Sequence, residues 1–154
     1  MIRKATIEDL EQIQQLNQLL FIKEEKDYDS LLNVEWPFEK EGEEFFKKAI
    51  TDNSRATFVA EEDGKIVGYL AGKSSPGPWY KDHCISAELD TMFILNEYRS
   101  SGIGSRLVKS FVVWAKDAGA KRIEVRASSG NDQAINFYKK NGFEDFDTIL
   151  KLDL

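Results

Sequence analysis

The chain has 154 residues, of which 42% are hydrophobic and 31% charged, a balance typical of one folded domain with a single core. Its net charge of −6 disfavours nucleic acid as a partner, and no apolar run is long enough to cross a bilayer. A lone cysteine, Cys84, and a lone histidine, His83, exclude a disulfide within the chain and a histidine-rich metal site. We therefore expect a cytoplasmic protein that uses no metal and has no membrane or nucleic-acid partner.

The first third of the chain predicts one strand followed by two helices. Ile2 to Ala5 is typical of a short strand, and Thr6 then resembles a helix N-cap. Apolar residues at helical spacing predict a first helix that runs to about Phe21. We expect an irregular stretch over residues 23–38 and a second helix from Glu39 to Ile50.

The middle of the chain predicts a hairpin and then a longer strand. Two strand-like runs, Ala56 to Ala60 and Lys65 to Gly72, flank an Asp63-Gly64 pair, which is a strong hairpin signal. Ser74 to Tyr80 holds two prolines and a glycine and predicts a loop. A long strand is expected from about Ile85 to Leu95.

The last part of the chain alternates helices and strands. Arg99 to Gly104 predicts a tight turn, which leads into a helix that ends near Ala118. A strand over Arg122 to Ala127 and a helix over Asp132 to Lys140 follow, and one or two strands are expected from Phe143 onward. The whole chain, residues 1–154, thus predicts a single α/β domain in which helices cover both faces of one mixed sheet.

The turn between the long strand and the third helix is the most informative segment. It reads Arg99-Ser100-Ser101-Gly102-Ile103-Gly104-Ser105, and its two glycines permit a turn too tight for a Cβ. Unpaired N–H groups at the positive end of a helix dipole form a phosphate-binding nest, to which Arg99 adds a charge-assisted contact. The alternative is an ordinary turn in which the glycines serve geometry alone.

Two common phosphate-binding motifs are excluded by the residues around this turn. A P-loop requires Gly-Lys followed by Ser or Thr, and that triplet does not occur. A dinucleotide fingerprint requires a third glycine where Leu107 stands. Glu124 mimics the ribose-binding acid of that fingerprint, but it falls within a predicted strand rather than at its tip.

Three linked motifs resemble the GCN5-related N-acetyltransferase (GNAT) superfamily. Arg99-x-x-Gly102-x-Gly104 is similar to its pyrophosphate loop, Q/R-x-x-G-x-G/A. Residues 88–95, ELDTMFIL, resemble its fourth strand, and residues 131–143, NDQAINFYKKNGF, resemble its fourth helix and the turn after it. The resemblance covers nearly the whole chain and implies a mostly antiparallel sheet and acetyl-CoA as cosubstrate.

The resemblance also implies where acetyl-CoA binds. In the superfamily the fourth and fifth strands splay apart, and the pantetheine arm lies in the gap like an added strand. Backbone groups of Met92, Phe93 and Ile94 would then bind that arm, and one of their N–H groups would face the thioester oxygen. The turn from Arg99 to Ser105 would hold the pyrophosphate. Asn131, Ala134 and Tyr138 would contact the pantetheine or the thioester end.

Three residues are candidates for acid–base roles. An alkylammonium is mostly protonated at neutral pH, so a proton acceptor assists its attack. Asp90 and Glu88 lie two apart on one strand and therefore share a face, and either one is the candidate base, Asp90 first. Tyr138 matches the tyrosine that, in many superfamily members, protonates or hydrogen-bonds the departing thiolate. The alternatives are solvated acids on a strand and an aromatic that only packs.

The acceptor pocket of such proteins is formed by the first two helices, their connection and the loop after the third strand. In this chain those segments hold Tyr28, Glu35, Trp36 and Trp79. Aromatic and acidic residues together are suited to enclose an organic cation, so we expect the primary amine of a small molecule. The alternative for Trp36 and Trp79 is that both cap the hydrophobic core.

Two other functions remain open from the sequence. One is a non-catalytic acyl-CoA-binding module, and the other is an acetyltransferase that modifies a protein lysine or N-terminus. The same motifs serve every acceptor, so the sequence does not separate these functions. Dimers are common among similar proteins, and a homodimer is therefore a further possibility.

Overall fold

In the computed structural model, which describes residues 1–154, helices pack on both faces of one five-stranded sheet. The strands are β1 Ile2–Lys4, β2 Arg55–Glu62, β3 Lys65–Pro76, β4 Ile85–Ile94 and β5 Ala120–Val125. The α-helices are α1 Leu10–Asp27, α2 Lys40–Thr51, α3 Ile103–Asp117 and α4 Asp132–Lys140, and short 3-10 helices cover Ile7–Asp9, Trp36–Phe38 and Asn96–Tyr98.

The strands lie in their chain order across the sheet, β1-β2-β3-β4-β5. The pairs β1–β2, β2–β3 and β3–β4 are antiparallel, and β5 is parallel to β4 because α3 carries the chain back across the sheet. The predicted mixed, mostly antiparallel sheet is therefore confirmed. The β2–β3 hairpin also turns where predicted, since Asp63 and Gly64 both have positive φ, 50° and 76°.

Helix α1 is longer than predicted and ends at Asp27 rather than near Phe21. The residues after Phe21 are mostly Lys and Glu, which favour helix without extending the apolar stripe on which the prediction relied. The helix begins after the turn at Thr6, whose backbone N–H donates to the Asp9 carboxylate at 2.8 Å. The predicted irregular stretch therefore starts only at residue 28, and it also contains the 3-10 turn at Trp36–Phe38.

Strand β3 is also longer than predicted, because it stays paired with β4 as far as Pro76 opposite Ile85. Proline lacks an N–H donor, and the end of the ladder is a position that tolerates it. The predicted loop from Ser74 to Tyr80 is consequently shifted to residues 77–84.

The prediction of one or two strands after Phe143 is wrong for this structure. Residues 143–154 have no regular secondary structure, and all of them except Phe143 are exposed. An alternating sequence becomes a strand only when its backbone is paired, and no strand pairs with this segment.

The core is divided by the sheet into two clusters. On one face α3 is the central element, with Leu107, Phe111 and Ala115 fully buried. A Cβ at Gly72 would lie 2.5 Å from the Phe111 ring, so α3 and β3 are in close contact. On the other face α1 and α2 bury Ile13 and Phe46 against β2 and β3. None of the helices is long and apolar enough to span a membrane.

Candidate active site

A gap opens between β4 and β5 halfway along β4. Pairing of β4 with β5 ends at Leu89 and Val125, whereas pairing of β4 with β3 continues to Ile94 opposite Gly68. The remaining part of β4, which includes Met92, therefore has one edge without a neighbouring strand. Backbone N–H and C=O groups on such an edge are available to an extended ligand.

The N-terminus of α3 faces the same end of β4 and has no side-chain cap. Its N-cap, Gly102, has φ of 82°, and Ser100 also has positive φ, at 61°. The first helical hydrogen bond runs from the Arg106 N–H to the Gly102 carbonyl at 3.1 Å, so the N–H groups of residues 103–105 have no acceptor in the chain. These donors at the positive end of the α3 dipole form an anion-binding site.

The two glycines of the turn have different structural roles. A Cβ at Gly102 would meet nothing within 4 Å, so the space above this residue is open. A Cβ at Gly104 would lie 2.9 Å from the Phe137 ring and 3.1 Å from the Met92 methyl group. Gly104 thus lets α3, α4 and β4 meet closely, while Gly102 supplies the left-handed backbone that the turn requires.

The other side chains of the turn brace its backbone. The Arg99 Nε donates to the Ile94 carbonyl at 2.9 Å, and the guanidinium lies 5.1 Å from the centre of the Phe93 ring. Burial lowers the pKa of Arg99. The Ser101 hydroxyl donates to the Tyr98 carbonyl at 2.6 Å. Arg99 therefore ties the end of β4 to the turn, and its predicted phosphate contact would involve only its terminal nitrogens.

Tyr138 on α4 is partly buried and packs against the core cluster on the α3 face of the sheet. Its ring packs between Phe137 and Phe143, with centroid distances of 5.2 and 5.5 Å. Burial raises the pKa of Tyr138 to about 12, and the charge of Glu24 contributes in the same direction. Glu24, near the end of α1, is itself partly buried, and that burial raises its pKa.

The sequence prediction missed Glu24 because it ended the first helix near Phe21. The residue follows Leu16 and Leu20 at intervals of four, so it continues the inward-facing side of α1. That spacing was the signal in the sequence that placed a carboxylate on the buried side of the helix.

Asn131 and Ala134 form the N-terminal cap of α4. The Asn131 Oδ1 accepts a hydrogen bond from the Ala134 N–H at 3.1 Å. The asparagine at the start of the 131–143 motif therefore has a structural role as the N-cap of α4. A contact between Asn131 and a ligand would have to use its amide nitrogen, which has no partner in the chain.

The two candidate bases lie together on the α1–α2 face of the sheet. Lys73 Nζ is 3.3 Å from Glu88 Oε2 and 3.4 Å from Asp90 Oδ1, and Arg55 is 3.7 Å from Asp90 Oδ2. Burial raises the pKa of Asp90, while the charge of Lys73 opposes that shift. Asp90 is 12% exposed and Glu88 45%, so the first of the two carboxylates is the more desolvated.

A buried hydrogen-bond network lies beside Asp90 and was not predicted. The Tyr69 hydroxyl is 2.7 Å from the Thr91 hydroxyl, and Asn17 Nδ2 donates to both, at 2.8 and 3.2 Å. The register of β3 and β4 shifts here, and the resulting irregularity puts Asp90 and Thr91 on one face. The signal in the sequence was Asn17, a polar residue on the apolar stripe of α1.

Trp36 and Glu35, two of the predicted acceptor residues, are held by α1. The Trp36 ring stacks on Phe21 at 5.8 Å and also contacts two aromatic residues of α2, Phe45 and Phe46. Glu35 accepts a hydrogen bond from Gln18 Nε2 at 3.2 Å. Trp36 thus packs against the core, as its alternative interpretation stated.

The other two predicted acceptor residues lie on different segments. The Tyr28 ring, at the end of α1, is 3.8 Å from where a Cβ of Gly130 would be, just before α4. Trp79 is 93% exposed in the loop between β3 and β4, and its aromatic contact is its neighbour Tyr80, at 5.5 Å. The structure therefore does not bring Trp79 into contact with Tyr28, and a shared pocket remains a prediction.

Comparisons with known proteins agree with this geometry. A family model described as "Acetyltransferase (GNAT) family" matches residues 11–143, a range that includes all three motifs quoted above. The chain is 29% identical over 154 residues to the N-alpha-acetyltransferase of Sulfurisphaera tokodaii, and the alignment covers 94% of this chain and 80% of that relative.

Two solved structures share the fold. A mutant of the BH1408 protein from Bacillus halodurans has a TM-score of 0.87 at 19% identity, and the match covers 100% of this chain and 99% of that one. The aminoglycoside N-acetyltransferase AAC(6')-Iy, in complex with a bisubstrate analog of CoA and acetylneamine, has a TM-score of 0.79 at 18% identity, covering 100% of this chain and 97% of that one.

Proposed function

Because the chain belongs to the acetyltransferase (GNAT) family and is an acetyl-CoA-dependent N-acetyltransferase, we propose that its acceptor is a primary amine of a small molecule, which attacks the thioester directly in a ternary complex. The observation that supports acetyl transfer is the pairing of two features at one end of β4. The uncapped N-terminus of α3 and the open edge of β4 meet there.

The geometry of this region suits the two polar parts of acetyl-CoA. Unpaired N–H groups at the start of α3 are suited to a pyrophosphate, and the open space above Gly102 leaves room for it. Backbone groups of residues 92–94 are suited to the amides of a pantetheine arm, which would lie along β4 as an added strand. An N–H group of this edge would also stabilise the charge that develops on the thioester oxygen.

The reaction needs an uncharged amine and a stabilised thiolate. As the amine nitrogen bonds to the carbonyl carbon, the bond between carbon and sulfur breaks, and the nitrogen releases a proton to a base. We assign Asp90 as that base, directly or through a water, with Glu88 as the second candidate. Burial raises the pKa of Asp90, and this supports its role because a more basic carboxylate accepts a proton more readily.

Tyr138 is proposed to donate a hydrogen bond to the departing sulfur. A phenol with a pKa of about 12 holds its proton more tightly than a thiol with a pKa of about 8.5. Full proton transfer from Tyr138 to the thiolate is therefore unfavourable at equilibrium. A charge-assisted hydrogen bond that remains on the phenol stabilises the leaving group without that transfer.

The acceptor is proposed to bind between the end of α1 and the loop after β3. Tyr28 and Glu35 would provide an aromatic face and a carboxylate for a cationic amine, and Trp79 would contribute from the loop. Trp36 would support this wall from the aromatic cluster in which it packs.

A second candidate acceptor is the N-terminal amine of a protein. The Sulfurisphaera tokodaii relative is named an N-alpha-acetyltransferase, and its similarity extends over nearly the whole chain. Both candidate reactions use the same thioester and the same base, so the residues of the gap do not distinguish them.

The deciding experiment combines binding and turnover. Calorimetry with CoA and acetyl-CoA tests whether the gap between β4 and β5 binds the cosubstrate. Thiol release from acetyl-CoA, measured with a panel of small amines and short peptides with free N-termini, tests acetyl transfer. We expect CoA binding and thiol release with small amines. Release with peptides alone would favour the protein acceptor, and binding without any release, or no binding at all, would refute the proposal of a small-molecule amine.

Two variants test the assigned role of the phenol. Tyr138→Phe should lower kcat about 10²-fold while the affinity for acetyl-CoA changes little, because only the leaving-group hydrogen bond is removed. Tyr98→Phe is the matched control, since its ring packs against the core and its hydroxyl makes no hydrogen bond in the chain. Equal turnover of the two variants would contradict the role of Tyr138.

A further inference from the structure

Glu24 is a carboxylate on the inward side of α1 that has no cationic partner in the chain. Its side chain is partly buried, and burial raises its pKa, yet it forms no hydrogen bond and no ion pair. The charges that act on it are those of Lys23, which lowers its pKa, and Asp29, which raises it. Withdrawing a carboxylate from water is unfavourable unless another group replaces the lost hydration. Glu24 is therefore suited to bind a cation that the chain itself does not supply.

Contacts on either side of Glu24 fix where its carboxylate lies. Seven residues before it, Asn17 Nδ2 donates to the Thr91 hydroxyl at 3.2 Å and so holds α1 over β4. Four residues after it, the Tyr28 ring is 3.8 Å from where a Cβ of Gly130 would be, just before α4. Residues four and seven apart share one side of a helix. Glu24 therefore faces the space between β4 and α4.

Two phenols on that side indicate the same position. Burial is the main cause of the raised pKa of Tyr69 and of Tyr138, and the charge of Glu24 contributes to both. Interactions between charges weaken with distance, so the carboxylate lies near both hydroxyls. Tyr138 is the residue that we assign to the departing sulfur, and Glu24 is thus close to the place where the thiolate would form.

A carboxylate that stays unneutralised at this position opposes the reaction. Negative charge develops on the sulfur as it departs, and like charges repel. The two candidate bases have a cation beside them, since Lys73 Nζ is 3.3 Å from Glu88 and 3.4 Å from Asp90. Glu24 has no such partner, so a cation brought by the acceptor would remove the repulsion. The reacting nitrogen cannot be that cation, because it must be uncharged when it attacks the thioester.

We propose that Glu24 binds a second amine of the acceptor as an ammonium ion, so that the preferred substrate is a small diamine. This inference rests on the proposed transfer to a small-molecule amine and names the class of that amine. One nitrogen reacts and releases its proton to the base, while the other stays protonated against Glu24. Tyr28 contributes an aromatic face at the same end of α1, which also favours an organic cation. A monoamine offers no group for Glu24 and leaves its charge beside the thiolate.

The test compares acceptors that differ in one amine. Thiol release from acetyl-CoA is measured with the diamines putrescine and cadaverine and with butylamine and pentylamine, which have the same carbon chains and a single nitrogen. For the wild type, kcat/KM should be at least about 10-fold higher for each diamine than for its monoamine. The reason is that only the diamine gains a charge-assisted contact with Glu24.

Variants near the end of α1 show which residue causes the preference. Glu24→Gln should reduce the preference for diamines about 10-fold without lowering kcat/KM for the monoamines, because the repulsion of the thiolate is also lost. Glu24→Asp keeps the charge and should keep most of the preference. Asp27→Asn is the matched control, since it removes one negative charge from an exposed position of the same helix and should leave the preference unchanged.

The outcomes separate this proposal from the function on which it rests. Equal kcat/KM for diamines and monoamines in the wild type would overturn the role of Glu24, while thiol release with both would still support transfer to a small amine. Equal losses of the preference in Glu24→Gln and Asp27→Asn would also overturn it, because net charge alone would then explain the preference. Absence of thiol release with every small amine would refute the proposed function, and this inference with it.

Discussion

Asp90 illustrates how single residues set the chemistry of this site. Its carboxylate is withdrawn from water between two cations, Lys73 and Arg55, and neither cation forms an ideal hydrogen bond with it at 3.4 and 3.7 Å. Burial raises its pKa, and the ammonium of Lys73 limits that rise. The basicity of the candidate base is therefore controlled from the neighbouring strand.

Replacing Lys73 tests this control. In Lys73→Met the opposing charge is gone, so the pKa of Asp90 should rise further, and the acid limb of the pH profile of kcat/KM should move to higher pH. Lys73→Arg is the control that keeps the charge and should keep the limb near its wild-type position. An identical limb in wild type and Lys73→Met would show that Asp90 is not the group that titrates.

The same shift has a consequence for stability, and its sign can be stated. Because the pKa of Asp90 is raised in the folded chain, the folded state binds more protons than the unfolded state around that pKa. The free energy of unfolding should therefore fall as pH rises through it. In Asp90→Asn this decrease in the free energy of unfolding should be absent from denaturant titrations, even if another residue acts as the base. The pH dependence of stability is therefore independent of the pH profile of kcat/KM as a test.

Among the elements, those with strong local signals were predicted from the sequence. The Asp63-Gly64 hairpin, the apolar third helix and the glycine turn before it all depend on neighbouring residues, and their positions are confirmed. The end of α1 was placed too early because the Lys and Glu residues after Phe21 extend the helix without extending its apolar stripe, and the end of β3 was placed too early because it depends on pairing with β4.

Only some residues of the candidate site were predicted, because the others reach it through tertiary contacts. Residues in motifs, such as Tyr138, came from the resemblance, and their roles stay predictions. Glu24, Lys73 and the Asn17 network lie far from those motifs in the chain and meet them only through packing. Local spacing shows that Glu24 and Asn17 face inward, but it does not specify which residues they contact.

The turn at the N-terminus of α3 can be tested by comparing two glycine variants. In Gly102→Ala the new residue must adopt positive φ, which costs about 1 kcal/mol, and its methyl group projects into the open space above the turn. Gly64→Ala introduces the same strain in the remote β2–β3 hairpin, where a Cβ also meets nothing. Both variants should lose similar stability in thermal unfolding.

Only Gly102→Ala should also weaken CoA binding, by about 10-fold or more in calorimetry. Equal CoA affinities of the two glycine variants would exclude the α3 N-terminus as the pyrophosphate site.

For the whole molecule, the excess of acidic residues is the dominant long-range property. A net charge of −6 attracts cations at low ionic strength, and salt screens that attraction over about 10 Å at 0.1 M. The kcat/KM for a cationic amine should therefore decrease as NaCl is raised, while that for an uncharged amine of similar size should change little. Parallel salt profiles for the two amines would remove the steering hypothesis.

The gap between β4 and β5 also divides the chain by how its parts find one another. Strands β2 to β4 follow one another directly as antiparallel neighbours, whereas β5 reaches β4 only after the crossover through α3, and β1 and β2 are separated by α1 and α2. Contacts across short chain separations form sooner than those across long ones. We therefore expect the β5–α4 portion to join the sheet after β2, β3 and β4 have paired, so that the gap between β4 and β5 forms only once the antiparallel part of the sheet is in place.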